Sequence, residues 1–287
     1  MLAILNLIVQ GVLIGGLYAL FAIGLSLSLG IMRFINIAHG DFIVLASFLL
    51  MSLCGSLGLS PFIVAPLMMP LAFLAGYALQ RFLLQRIVGK SVLPVVLVTF
   101  GLAIIIQNGL LEHYGPDTRK LMGGWIEVAS VNLAGVLDVG LFPVAVFAAA
   151  ALLIAAMDLL LYRSSLGARI RAVADDPVAA DLIGLSPRHV YPIAMGLVGV
   201  TTMLAAGAMS VWTNFDPAGG PSRLLTAFEA VVLGGLGSLW GTLIGGILLG
   251  IAQNIGAQFD AAWQTLAQHL VFLVVLALRP QGLFSKG

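Results

Sequence analysis

The stretch RSSLGARIRAVADDPVAADLIGLSPR, residues Arg163–Arg188, separates two long apolar runs and sets the layout of the chain. The runs are Leu141–Leu161 and Val190–Trp212, and each has about the 20 residues that a helix needs to cross a bilayer. The stretch is therefore interpreted as a polar loop between two membrane spans. Its arginines flank an acidic cluster: Arg163, Arg169, Arg171 and Arg188 around Asp175, Asp176 and Asp181.

The loop contains the signals of a short helix. Asp176 suits an N-cap and Pro177 a first helical position, while Gly184 suits the end of the helix two turns later. Ser186-Pro187 repeats the same start for the next span. A capped helix between two spans is typical of a docking element for a cytosolic partner, and the alternative is a solvated loop that only reverses the chain.

Composition predicts an integral membrane protein. Apolar residues make up 61% of the 287 residues and charged residues only 9%, against about 25% charged residues in soluble proteins. Polar intervals of about 30 residues are too short for a soluble domain, so residues 1–287 are predicted to form a single transmembrane domain. The first apolar stretch lacks a basic leader and a cleavage site, and is interpreted as a retained span. The lone cysteine, Cys54, excludes a disulfide within the chain.

The predicted fold class is an all-α polytopic membrane protein with about 7–8 transmembrane helices. Pro66 and Pro70 predict kinks in the third span, and Gly11 and Gly15 have the GxxxG spacing of close helix packing in the first. The predicted full spans are Ile4–Leu29, Ile43–Leu57, Phe62–Leu79, Val92–Leu111, Leu141–Leu161, Val190–Trp212 and Trp263–Leu278.

The run Thr226–Gly256 is predicted to contain a re-entrant half-helix near residues 226–237. Glycines and a serine interrupt the run at Gly234–Ser238, and the part before them would extend only about 16 Å, half a bilayer. The half-helix is expected to turn there and to be followed by a full or partial helix. Glycines at every fourth position predict a packing stripe: Gly237, Gly241 and Gly245.

The distribution of basic residues predicts the orientation of the chain. Ten of the 13 Lys and Arg fall on one side when Arg33, the cluster Arg81–Lys90, the loop Arg163–Arg188 and the C-terminus share that side. Because basic loops stay in the cytoplasm, the N-terminus is predicted outside and the C-terminus in the cytoplasm.

No catalytic, metal or cofactor site is predicted. The four histidines fall in different segments without metal-ligand spacing. Gly89-Lys90-Ser91 resembles the end of a phosphate-binding loop, but Leu84 occupies the position of the required first glycine. The chain is therefore expected to bind no nucleotide itself, and no nucleic acid is expected as a partner.

Isolated polar residues in apolar surroundings are the candidates for a translocation path or gate. Glu229 is a costly charge in the proposed half-helix, and the alternative is an interfacial first-turn acid favoured by the helix dipole. Asp41 follows Gly40 at the start of a span and has the same two interpretations. The complete set is Asn36, His39, Asp41, Gln107, Asn108 and Glu229.

Four stretches resemble permease subunits of branched-chain amino-acid ABC importers of the LivH type. They are Gly15–Phe42, Leu166–Val190, Phe228–Gly250 and Leu276–Phe284, in the order that the family has them. The resemblance implies a second related permease, two cytosolic ATPase subunits that hydrolyse ATP, an external or periplasmic binding protein, a small amino-acid substrate and a bacterial inner membrane. It also implies that the loop 163–189 couples to the ATPase through Asp175, Asp176, Pro177, Ala180, Asp181 and Gly184.

Alternating access follows as the expected mechanism, in which ATPase closure shifts a bistable helix packing. A permease for urea or short amides in the same family is the first alternative. A self-sufficient secondary transporter or channel is an alternative of another class, but it predicts ionisable residues deep in several spans. A membrane-embedded enzyme would need a cluster of His, Asp or Cys, and the sequence has none.

Overall fold

The computed structural model describes residues 2–88, 92–133 and 137–284, and these are mostly α-helical. The motif Gly89–Ser91 and the basic residue Lys286 lie outside the described residues. The helices and strands, in chain order, are α1 Leu2–Met32, α2 His39–Leu57, α3 Pro61–Ala78, α4 Val92–Tyr114, α5 Trp125–Val128, β1 Ser130–Leu133, β2 Leu137–Gly140, α6 Leu141–Arg163, α7 Ser165–Asp175, α8 Pro177–Leu182, α9 Pro187–Trp212, α10 Gly220–Gly234, α11 Leu239–Ala257 and α12 Trp263–Leu278.

Seven helices of the described chain are long and apolar enough to cross a membrane, which confirms the predicted fold class. They are α1, α2, α3 with its extension to Arg86, α4, α6, α9 and α11. The predicted last span, α12, has only 16 residues, or about 24 Å of helix. The third span, α3, passes through Pro66 and Pro70 and becomes π-helical at Leu79–Leu83.

The connection between α4 and α6 contains a small antiparallel hairpin. Strand β1 pairs with β2 in a register that places Ser130 opposite Gly140. Before it, the Lys120 ammonium lies 2.6 Å from the Glu127 carboxylate, which also accepts the Gly123 amide at 2.8 Å. These donors, the Lys120 side chain first, hold the pKa of Glu127 below its ordinary value. The connection between α4 and α6 is therefore folded and covers one end of the bundle.

The segment predicted as a re-entrant half-helix near residues 226–237 is α10, which begins at Gly220, six residues before the predicted start, and runs to the end of the bundle where α1 ends instead of turning back inside it. It ends in a tight turn in which Gly235 and Gly237 have positive φ angles of 98° and 80°. A methyl group on Gly30, near the end of α1, would lie 3.1 Å from Gly237 Cα. The turn therefore lies at the level of the C-terminal end of α1, and α11 returns from there alongside α1.

The antiparallel pair α1 and α11 is held at backbone contact by glycines. A methyl group on Gly15 would lie 2.4 Å from Ile247 Cα, and one on Gly11 would lie 2.7 Å from Ile251 Cα. On α11 the facing glycines are Gly246 and Gly250, where backbone oxygens of α1 leave no room for a side chain. Small residues allow this approach in a membrane, where packing rather than water exclusion holds helices together.

The predicted stripe at positions 237, 241 and 245 faces α10. A methyl group on Gly241 would lie 2.1 Å from the Gly234 carbonyl oxygen, and one on Gly245 would lie 2.1 Å from the Ala230 carbonyl oxygen. Gly237 instead belongs to the turn. Helix α11 therefore carries two glycine faces, one for α10 and one for α1.

Basic segments that are distant in sequence meet at one end of the bundle, named here the arginine-rich end. The Arg33 guanidinium donates to the Asp175 carbonyl at 3.4 Å, and the Arg81 guanidinium donates to the Arg188 carbonyl at 2.8 Å. The segment after α12 joins them, since the Leu283 amide donates to the Leu233 carbonyl beside the α10–α11 turn. These contacts group the basic segments as the charge distribution predicts.

The glycine contact between α1 and α11 gives a test with a matched control. We expect Gly15→Ala to destabilise the chain by about 1–3 kcal/mol through overpacking. Gly109→Ala, on the open side of α4 with nothing within 4 Å, is expected to be neutral or slightly stabilising because alanine favours helix. The measurement is the temperature at which the detergent-solubilised protein loses its monodisperse chromatographic peak. Equal effects of the two substitutions would contradict the packing role of Gly15.

Candidate functional site

The loop between α6 and α9 is folded into two helices, α7 and α8, at the arginine-rich end. Helix α7 was not predicted. Its N-cap is Ser164, whose Oγ accepts the Gly167 amide at 2.9 Å and donates to the Leu160 carbonyl at 2.6 Å. A methyl group on Gly167 would lie 2.2 Å from the same Leu160 oxygen. Gly167 therefore permits the sharp corner from α6 into α7.

Helix α7 packs one face against α1, α6 and α9. Ile170 and Val173 on that face are buried, while the Arg171 guanidinium lies 5.0 Å from the centre of the Tyr162 ring. The signal for this helix was available in the sequence: apolar residues three apart after a serine cap. It was missed because the four arginines made the segment resemble solvated loop.

Helix α8 has the start that Asp176 and Pro177 predict. Asp176 Oδ1 accepts the amides of Val178 at 2.9 Å and Ala179 at 3.0 Å. Gly184, with φ of 85°, ends the segment, and Ala180 is buried on the inner face. The side chains of Asp175 and Asp181 are exposed.

The outer side of α8 is apolar and exposed. Val178, Leu182 and Ile183 have exposed fractions of 71%, 85% and 75%, and they are named here the α8 surface. Because α8 lies at the arginine-rich end and not among the spans, these side chains form an apolar patch on a polar loop. A patch of this kind marks an interaction site more often than a solvated connection.

The second candidate site lies inside the bundle, where the N-terminal ends of α2 and α10 meet. A methyl group on Gly40 would lie 2.0 Å from the Gly220 carbonyl oxygen, and one on Gly220 would lie 1.9 Å from Asp41 Oδ1. Asp41 Oδ1 also accepts from Gln107 Nε2 of α4 at 2.8 Å. Two helix starts, one carboxylate and one amide therefore converge away from either end of the bundle.

Polar groups before α2 extend this convergence. Asn36 Oδ1 accepts the Ala38 amide at 3.1 Å, and Thr99 Oγ1 of α4 accepts the Ile37 amide at 3.3 Å. The His39 ring nitrogen Nε2 lies 2.9 Å from the Phe21 carbonyl oxygen of α1. These residues are named here the central cluster: Asn36, His39, Asp41, Thr99 and Gln107.

The central cluster corrects the expected depth of Asp41. Asp41 does belong to the first turn of its helix. However, its neighbour His39 contacts Phe21, which is 11 residues before the end of α1, or about 16 Å along the helix axis. Asp41 therefore lies in the interior rather than at the arginine-rich end. Asn36 Nδ2 is buried there without a partner among the described residues.

Asn108 does not join the central cluster. Its side chain is exposed on a different face of α4 from Gln107, and its Nδ2 donates to the Ile104 carbonyl of its own helix at 2.8 Å. Adjacent residues on a helix point about 100° apart, so Gln107 and Asn108 cannot share one site.

Glu229 forms a separate buried contact between α10 and α12. Its carboxylate accepts from Gln268 Nε2 at 2.9 Å and lies 2.5 Å from His269 Nδ1. The alternative that Glu229 is a first-turn acid is wrong, because α10 begins nine residues earlier and the carboxylate is 1% exposed. Sequence reasoning missed Gln268 and His269 as its partners, although both are polar residues within an apolar span.

The Glu229 contact predicts non-additive substitutions. Gln268→Leu leaves a buried carboxylate with one partner fewer, so we expect a loss of about 1–3 kcal/mol. The double variant Glu229→Leu/Gln268→Leu is expected to lose less than the sum of the single variants. Thermal stability in detergent measures both, with Asn108→Leu as the control for removal of an exposed amide. Strict additivity would show that the two side chains do not depend on each other.

The fold is that of a multi-pass membrane protein, with a capped helix at one end of the bundle and polar side chains between interior helix ends. The family model for the permease component of branched-chain amino acid transport systems matches residues 7–278. The chain belongs to that family, as the resemblance in its sequence implied, and it is a permease subunit.

Curated relatives match over nearly the whole chain. The high-affinity branched-chain amino acid transport system permease protein BraD of Pseudomonas aeruginosa is 29% identical, over 98% of this chain and 96% of its own length. The corresponding LivH protein of Escherichia coli K12 is 25% identical, over 96% and 94%. A probable LivH permease of Methanocaldococcus jannaschii is 23% identical, over 97% and 92%. No solved structure matches the chain.

Proposed function

We propose that this permease is one of two related transmembrane subunits of an ATP-driven importer for branched-chain amino acids. It forms the translocation path with the second permease, in a bacterial inner membrane. Two cytosolic ATPase subunits bind at the arginine-rich end, and a periplasmic binding protein delivers substrate at the other end, where the N-terminus lies. The substrate class is supported by the relatives, which are permeases of branched-chain amino acid transport systems.

The α8 surface is the observation that carries this proposal. Exposed apolar side chains on a short, well-capped helix are costly in water unless a partner covers them. ATP hydrolysis by the importer then occurs on the partner that covers α8. In this arrangement Asp176 and Gly184 hold the two ends of the docking helix, and Ala180 seats it on the chain beneath.

Contacts lead from α8 to the central cluster. Helix α8 packs on α7 and α9, and α7 packs on α1, α6 and α9. Helix α1 carries the Phe21 carbonyl that meets His39, and α9 carries Thr201, which lies with His39 beside Gly24. Movement of α8 on ATPase closure would therefore reach the central cluster through two long helices, as alternating access requires.

The central cluster is the proposed gate. Its members Asn36, His39 and Asp41 are buried in the described conformation, so a path through them is closed. Opening would separate the starts of α2 and α10, which meet closely at Gly40, Asp41 and Gly220. The freed Asn36 amide and Asp41 carboxylate could then meet the charged ends of an amino acid.

Docking at α8 is tested by one charge on its apolar surface. We expect Leu182→Asp to abolish copurification of the ATPase subunits from native membranes and to reduce substrate uptake at least 10-fold, because it places a carboxylate in an apolar interface. Val128→Asp, equally exposed at the other end, is expected to change neither. Insertion and the chromatographic peak should be normal for both. ATPase recovery unaffected by Leu182→Asp would contradict docking at α8.

Two substitutions of the N-cap residue Asp176 distinguish the effect of the cap hydrogen bonds from the effect of the charge. Asp176→Ala removes the acceptor of two amides and should reduce ATPase recovery, since loss of a cap costs about 1 kcal/mol of helix stability. Asp176→Asn keeps an N-cap oxygen and should retain most of the recovery. If both variants lose recovery equally, the charge of Asp176 and not the cap is what the partner needs.

Transport by the whole complex tests the function itself. Proteoliposomes that contain this chain, its copurified partners and the binding protein should accumulate leucine, isoleucine and valine only with ATP. Accumulation of urea or short amides instead would support the alternative of a permease for those substrates. Transport by this chain alone, without ATP, would contradict the importer and favour a secondary transporter or channel.

A further inference from the structure

A large pocket at the arginine-rich end adjoins the α8 surface, since Val178 and Leu182 are among its lining residues. Its volume is about 1190 Å³, and it lies between α8 and the ends of α1, α3, α4 and α9. Four guanidinium groups line it, and Asp181 is the one carboxylate among its described lining residues. The four arginines are Arg33, Arg81, Arg86 and Arg188.

These arginines keep most of their hydrogen-bonding capacity. Within residues 2–88, 92–133 and 137–284, the ion pairs involve other side chains. Arg33 and Arg81 each give one bond to a backbone carbonyl, out of the five donors that a guanidinium has. A pocket with four cations and one acid attracts an anion, and planar guanidinium groups suit a phosphate because they can donate two bonds to it.

The pocket also has an apolar side. Val95 of α4 and Phe34 line it and are buried, whereas Phe82 beside Arg81 and Leu93 near the start of α4 are 69% and 65% exposed. These exposed side chains continue the outer faces of spans, so the pocket borders the lipid and not only the water. A ligand that fits both sides carries a phosphate and a hydrocarbon chain.

We propose that this pocket binds an anionic phospholipid of the leaflet at the arginine-rich end. The phosphate lies among the arginines, and an acyl chain follows the apolar side between α3 and α4. Basic pockets between membrane helices commonly hold anionic lipid headgroups in this way. Because Pro177, Val178, Asp181 and Leu182 of α8 also line the pocket, the lipid lies against α8 and beside part of the α8 surface. The binding itself does not depend on the proposed transport function.

Native mass spectrometry of the detergent-solubilised chain, titrated with phosphatidylglycerol, tests the proposal. We expect Arg81→Gln/Arg86→Gln to weaken binding about 30-fold, at the usual contribution of each basic residue near a lipid surface. Arg86→Gln alone, which removes no hydrogen bond described within the chain, is expected to weaken it about 5-fold. Phosphatidylethanolamine, with no net charge, should bind weakly to every variant.

The controls distinguish a built site from general attraction. Arg163→Gln/Arg169→Gln removes the same charge from exposed positions at the same end, outside the pocket, and should leave binding unchanged. Arg81→Lys/Arg86→Lys keeps the charge and should retain most of the affinity. An equal loss in the Arg163/Arg169 variant would overturn the proposal. Displacement of the lipid by millimolar inorganic phosphate or ATP would overturn it too, because the pocket would then be a site for soluble anions.

Discussion

The close contact between α1 and α11 is the constraint on which the other helix positions depend. Helix α1 touches α6, α7, α9, α10 and α11, so it is enclosed and has almost no face left for lipid. Apolar side chains gain little from leaving lipid for a protein interior, and backbone proximity has to supply the stability instead. Gly11 and Gly15 make that possible against Gly246 and Gly250, and side chains at these positions would push the bundle apart.

A second constraint concerns where helices start. Broken helices inside a membrane expose backbone amides, and these must find partners within the protein. The chain meets the requirement before α2 because the Asn36 side chain accepts the amide of residue 38 and the Thr99 hydroxyl accepts the amide of residue 37. The same solution concentrates polar side chains away from water, which is why the interior start of α2 is both a structural necessity and the best candidate for a gate.

Local sequence signals suffice for some elements of this chain and not for others. Apolar length located the long spans, and the Asp176-Pro177 cap located α8, because both depend on neighbouring residues only. Helix α7 was missed, although its own spacing was adequate. For Asp41 and Glu229 the interpretation as an interfacial first-turn acid was wrong, since apolar periodicity does not reveal that α2 and α10 begin in the interior. Gln107 and Asn108 were treated alike, although helical geometry separates them.

The sequence by itself determined the class of protein, the family, the spans and the grouping of basic residues at one end, because hydrophobicity, caps and charge act over short distances. Tertiary structure alone decided which polar residues meet: Asp41 with Gln107, Glu229 with Gln268 and His269, and Arg33 with the Asp175 carbonyl. These partners are 39 to 142 positions apart in the chain. Such pairs depend on how whole helices pack, and that packing is the sum of many weak contacts that no local pattern records.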